Sequence, residues 1–398
     1  MIGTKNIPRP RNFADVSGGR ENNFDFLRFC FASLVIFSHS FELLFAPGTL
    51  PSFDPLLRFS KGQFAFGGGS VASFFLISGF LISKSWIFSK GTWDYTKKRA
   101  LRIIPALVVL ILFNVFIVGP LAVDNLHAYF HNPQTYKYLG LMFSTDIDRA
   151  DVLPGVFVHN PHPERVDGSL WTIRYEAICY VMVAILGLIG VYKKPKLLLV
   201  LFSATYALKA YMVSGHHLTI GGHSLDVFDN LVNLLMYFTV GMLFHFFSDK
   251  IPYSPKLFWL SILVLLVSGK LGSNDFKLMQ LTLPICGAYV LFYVAFIQRL
   301  KISKFAKYGD FSYGIYLYAF PVQQLLAHFF PHALNPTTMF FSAWAISFVL
   351  AVLSWKLIEQ PFMKLKGKRS PVRPELTPAP HAGTGLQADT AELATRVP

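Results

Sequence analysis

Ten stretches of roughly 16 to 22 mostly apolar residues recur along this chain of 398 residues. A helix of about 20 residues, rising ~1.5 Å each, matches the ~30 Å hydrocarbon core of a bilayer. Inside that core every backbone N–H and C=O must find a partner within the spanning structure, and uninterrupted apolar runs satisfy this as helices. The runs lie near 24–45, 69–88, 101–119, 170–191, 195–213, 229–248, 256–271, 278–298, 311–330 and 338–359, the seventh being the shortest. The expected fold is all-α: a polytopic membrane helix bundle of about ten transmembrane helices.

Composition narrows the function classes. Hydrophobic residues make up 53% of the chain and charged residues only 15%, far from the balance of a soluble protein. A formal charge of +14 raises the question of nucleic acid, but the basic residues are scattered between apolar spans and form no basic domain. A lipid bilayer is the expected partner, and nucleic acid is not. Cys30, Cys179 and Cys286 all fall within apolar spans and supply neither a disulfide framework nor a zinc site. His127, His131, His159 and His162 lack metal-ligand spacing and read as solvent-exposed; no metal is expected. The first apolar run is too long for a cleavable signal peptide and lacks a small-residue cleavage site.

Lysine and arginine orient the chain. One set of alternating compartments carries 25 of the 36 basic residues, and the opposite set carries seven. By the positive-inside rule both termini are cytoplasmic, and the 120–169 segment faces outward. Three parts follow: a cytoplasmic tail (1–23), a membrane domain (24–362), and a C-terminal tail (363–398) that is basic, then rich in Pro, Ala, Thr and Gly with little to bury.

Ionisable residues inside the spans are costly and mark function by default. Arg28 and His39 share the first span, ~16 Å apart along one helix at ~1.5 Å per residue. Arginine keeps its charge, whereas histidine exchanges a proton near neutrality. The topology sets Arg28 near the inner face and His39 towards the outer one. Trp171, Arg174 and Glu176 open the fourth span from outside, so Glu176 reaches a depth similar to that of His39. Glu42, one turn beyond His39, is a competing partner. Arg99 and Arg102 share a helix face at the inner boundary, beside Lys98. Two guanidinium groups so placed suit phosphate, although on spacing alone orientation and lipid headgroups are the favoured account of them.

The strings GGGSVASFFLISGFLIS (67–83), GSLWTIRYEAICY (168–180), GDFSYGIYLYAFPV (309–322) and LIEQPFMK (357–364) join Arg28-x10-His39 and Arg99-x-x-Arg102 in one order. Together they resemble the acyltransferase-3 family of membrane O-acyltransferases over about residues 20–365. That family modifies surface polysaccharides, O-antigens, Nod factors and some antibiotics. The resemblance implies that His39 is the catalytic histidine and Arg28 its associated arginine. It makes Arg99 and Arg102 the acyl-donor motif, with Lys98 helping, and Glu176 and Glu359 the acidic signature residues. Tyr313 and Tyr316 belong to its S-Y-x-x-Y-L string; Ala319 stands where the family often has histidine. No fused SGNH domain is expected. The implied activity transfers an acyl group, most often acetyl, from cytoplasmic acetyl-CoA (a substrate; no bound cofactor) to a hydroxyl of a surface glycan or lipid-linked saccharide, in a bacterial inner membrane. The residues alone also fit a secondary transporter or flippase using the same Arg, His and Glu for proton coupling. Against that, the two halves show no repeated helix pattern.

Overall fold

The structure is a computed structural model that describes residues 10–17, 22–142, 152–215, 219–220, 223–224, 226–273, 276–297, 302, 305, 307 and 309–366. The expected outer-loop Arg149, His216 and His217, the inner-loop Arg299, Lys301 and Lys304, and the tail beyond 366 lie outside the described residues. Among the described residues ten long helices carry the fold: α1 (Phe24–Glu42), α2 (Phe66–Ile87), α3 (Thr92–Ala122), α4 (Trp171–Leu188), α5 (Lys196–Val213), α6 (Asp226–Phe246), α7 (Pro255–Leu271), α8 (Leu278–Ala295), α9 (Ser312–Phe329) and α10 (Pro336–Lys364). All but α6, α7 and α9 are long and apolar enough by themselves to cross a bilayer. The fold is a polytopic helical membrane bundle.

The exception at α9 has a physical reason. Every residue from Ser312 to Gln324 is buried, so this helix meets other helices rather than lipid and can carry polar side chains that find partners. Gln323 donates to the Ile36 carbonyl and to Ser40, both at 2.9 Å, tying α9 to α1. By contrast, α5 and α7 bury three residues each and present apolar surface outward.

The tightest crossing joins α2 to α6 through two glycines. A Cβ on Gly79 would stand 2.0 Å from the Phe238 carbonyl oxygen, and one on Gly241 would stand 2.1 Å from that of Leu76. The two backbones touch because neither residue has a side chain, the small-residue device of membrane helices. Wide π-turns interrupt α3 at Asn114–Val118, α8 at Leu283–Gly287 and α10 at Trp355–Glu359. Each contains a proline (Pro284) or is followed by one two residues on (Pro120, Pro361), and proline lacks the N–H that an α-turn needs.

Both ends of the bundle carry more structure than bare loops. On one end, Phe13 is 1% exposed and packs edge-on against Phe244, Tyr253 and Tyr289, so residues 11–17 are docked rather than free. On the other, the segment between α3 and α4 folds over its own core of Tyr129, Tyr138, Leu153, Val156, Phe157 and Val166. Gln324 holds that segment down by donating to the carbonyls of His162 (2.9 Å) and Arg165 (2.7 Å).

Candidate active site

A cavity of about 540 Å³ opens among α1, α2, α3, α4, α9 and the C-terminal end of α10. Its charged wall is organised by Asp310, the residue two before α9 begins. Arg28 Nη1 lies 2.9 Å from Asp310 Oδ2, and Arg102 donates to that same oxygen. The other carboxylate oxygen accepts from the Ser312 hydroxyl (2.5 Å) and backbone N–H (3.3 Å) at the first residue of α9. Burial works to raise the Asp310 carboxyl; the Arg28 and Arg102 guanidiniums and the Ser312 bonds outweigh it and hold the group well below the usual carboxylate range. Arg102 also faces Glu359 at 3.6 Å, and Glu359 accepts from Ser354 at 3.3 Å. Arg28 thus braces Asp310 rather than Glu359.

The other cations of this wall are less occupied. Lys98 pairs with Asp94 at 2.6 Å. Arg99 makes one hydrogen bond, to Ser85 at 3.3 Å, and lies over the Tyr180 ring at 5.8 Å. Its Nε is buried without a partner, and no carboxylate pairs with it among the described residues. Lys366, just beyond α10, lines the same mouth.

The apolar part of the cavity runs along α2 and α4 to Thr172 and Tyr316. The Tyr316 hydroxyl is 2.8 Å from the Thr172 hydroxyl and donates to the Ser169 carbonyl at 2.9 Å. Tyr313 reaches the Ile103 carbonyl at 3.4 Å and has Arg102 over its ring. Glu176 accepts from Tyr180, one turn along α4. Glu176, similar in depth to His39, makes no hydrogen bond to it among the described residues and lines the cavity.

His39 stands beyond the cavity's far end. Phe320, one turn after Tyr316 on α9, touches its ring edge-on at 5.3 Å. His39 Nδ1 is buried and has no hydrogen-bond partner among the described residues. The charges that bear on His39 are those of Glu42, His162, Arg165 and Asp54. Asp54 pins the turn beside it, accepting from Ser38 (2.5 Å) and from the N–H groups of Leu57 and Phe66 (both 2.8 Å). His162, expected in solvent, is 7% exposed and donates from Nε2 to the Glu42 carbonyl at 3.0 Å. His127 and His131 stack on each other in an exposed helix turn.

Of the residues singled out from sequence, the cavity gathers Arg28, Lys98, Arg99, Arg102, Glu176, Tyr313 and Tyr316. His39, Glu42, Trp171, Arg174 and Glu359 do not line it. Trp171 packs edge-on against Tyr175 at 5.7 Å. The residues missed were Asp310, Lys366, Asp54 and His162. Asp310 had a legible signal: an acidic residue two before Ser312 at a helix start, and a buried arginine requiring a carboxylate.

A polytopic helical membrane protein with a cation-walled cavity between its central helices is the class these features define. The acyltransferase-domain family model matches residues 21–358, so the chain belongs to the acyltransferase-3 family and is a membrane acyltransferase. It is 29% identical to the O-acetyl transferase of Shigella phage Sf6 over 353 residues, 86% of this chain and 96% of the relative. It is 26% identical to nodulation protein 10 of Rhizobium leguminosarum bv. viciae over 378 residues, 88% and 95% of the two chains. No solved structure matches it.

Proposed function

We propose that the protein moves an acyl group, acetyl in the first instance, from acyl-CoA at the inner face of the membrane to a hydroxyl of a glycan at the outer face. The observation that carries this is the cavity itself. Arg99 stands at its charged end without a carboxylate partner among the described residues, and its apolar end stops at Tyr316, one turn from the Phe320 that touches His39. An anion bound at Arg99 and Arg102 gains bidentate, charge-assisted bonds. A slender pantetheine arm fits the apolar length of a ~540 Å³ cavity. Its thioester then needs about one helical turn more, roughly 6 Å, to reach His39, which a shift of Phe320 would open.

At that point the chemistry is general-base catalysis. His39 Nδ1, buried and without a partner among the described residues, takes the proton of the acceptor hydroxyl. The oxygen attacks the thioester carbonyl, the C–S bond breaks, and the CoA thiolate leaves with the proton returned by His39. Glu42 is the carboxylate placed to stabilise the imidazolium, since its charge bears on His39 and Glu176 serves Tyr180. Radiolabelled acetyl-CoA given to inside-out vesicles tests this. Label is expected on carbohydrate and is expected to vanish in His39→Ala; a fully active variant, or accumulation of unmodified solute in place of labelled product, would overturn it.

A further inference from the structure

Lys366 lies eight residues beyond the part of the chain that the family match covers, yet it lines the cavity mouth with Lys84, Lys98, Arg99 and Arg102. The turn that brings it there follows from the wide Trp355–Glu359 segment and Pro361, which redirect the end of α10 towards α3. Lys366 is only partly exposed and has no carboxylate partner among the described residues. Burial, then the charges of Arg99 and Arg102, push its ammonium down to about 7. A lysine held this way in a wall of like charge is an anion site still short of its anion.

The groups that line the cavity identify the anion. Lys366, two residues beyond the end of the last helix, lines it together with Arg99 and Arg102, while Thr172 and Tyr316 line its apolar part. An acyl-CoA offers such a lining a pantetheine arm, a diphosphate and a ribose 3′-phosphate. We infer that Lys366 binds a phosphomonoester dianion at the cavity mouth, the 3′-phosphate of the donor, and so distinguishes CoA from its 3′-dephospho form. This rests on the acyl-CoA reading above.

Calorimetry on the full-length protein in phosphatidylcholine nanodiscs tests it with CoA and 3′-dephospho-CoA as probes. Lys366→Met is expected to weaken CoA roughly tenfold, the scale of one charge-assisted contact, and to leave 3′-dephospho-CoA unchanged. An equal loss for both probes, or none for either, would overturn the assignment. Failure of the unaltered protein to bind either probe would instead overturn the acyl-CoA reading. A phosphomonoester is also offered by the headgroup of phosphatidic acid, which a second arm separates. If phosphatidic acid nanodiscs weaken CoA binding and Lys366→Met relieves that competition, the site belongs to lipid; no effect of phosphatidic acid supports the 3′-phosphate.

Discussion

Arg28 and Asp310, 282 positions apart in sequence, meet at 2.9 Å, and Arg102 shares the same carboxylate oxygen. One carboxylate therefore holds two guanidiniums of the cavity wall and also Ser312, the first residue of α9. Removing the acid from a buried pair leaves cations without compensation, which costs about 3–5 kcal/mol. Asp310→Asn is expected to lower the unfolding temperature in detergent and to lower acyl transfer with it. A variant as stable as the parent would show that Arg28 and Arg102 do not depend on this acid.

Arg99 predicts the opposite pattern. Its guanidinium pairs with no carboxylate among the described residues, whereas Arg102 is bound to both Asp310 and Glu359. Arg99→Gln is expected to leave thermal stability within about 0.5 kcal/mol of the parent. It should weaken CoA binding at least tenfold, by loss of a charge-assisted contact. Arg102→Gln should lose both stability and binding. Melting curves and calorimetry on the two variants check the contrast.

How much of this was legible in the sequence follows from what each level of structure depends on. The spans were legible because lipid imposes length and apolarity on each one independently. α9 was found for a different reason than it was sought: its apolar run serves a protein interior, and Gln323 and Gln324 are tolerated there because α1 and the outer segment supply their partners. Arg28, Arg99 and Arg102 were visible as misplaced charges. The hydrogen bond of Glu176 was not legible, because depth along a helix says nothing about which way a side chain faces; its donor is Tyr180, one turn away. His162 was hidden because its burial depends on Gln324 and on the Glu42 carbonyl, both more than 100 positions distant.

The reciprocal glycine contact supports a stability prediction away from the site. Gly79→Ala puts a methyl into the Phe238 carbonyl, and Gly241→Ala puts one into that of Leu76. Helix backbones cannot step aside as a flexible side chain can, so each substitution is expected to cost about 1–3 kcal/mol or more. The pair share one crossing, and the double variant should cost less than the sum because the first already forces the helices apart. Detergent melts of both single variants and the double one measure this; additive losses would mean that the two contacts yield independently.

The outer segment offers a matched pair of substitutions. His162 Nε2 donates to the Glu42 carbonyl, and the amide nitrogen of glutamine can take the same place. His162→Gln is expected to keep the segment protected from hydrogen exchange, whereas His162→Ala leaves the carbonyl without its donor and should raise exchange across residues 153–166. Gln324→Ala, which removes the bonds to His162 and Arg165 together, should raise it further.

Lys366 makes donor binding depend on pH in a stated direction. With its ammonium pushed down to about 7 by burial and by Arg99 and Arg102, with Lys98 adding to the repulsion and Asp310 opposing it, the empty site holds a neutral lysine above that pH. A bound phosphate dianion favours the charged form, so binding takes up a proton there. Affinity for CoA is therefore expected to fall as pH rises above 7, by at most tenfold per unit for one proton, and this contribution is flat below 7. The 3′-phosphate finishes its own ionisation near pH ~6, outside that window. Calorimetry at several pH values, repeated in buffers of different ionisation enthalpy, reads the proton uptake directly. Lys366→Met should abolish the slope, and a slope that survives it would assign the proton to another group.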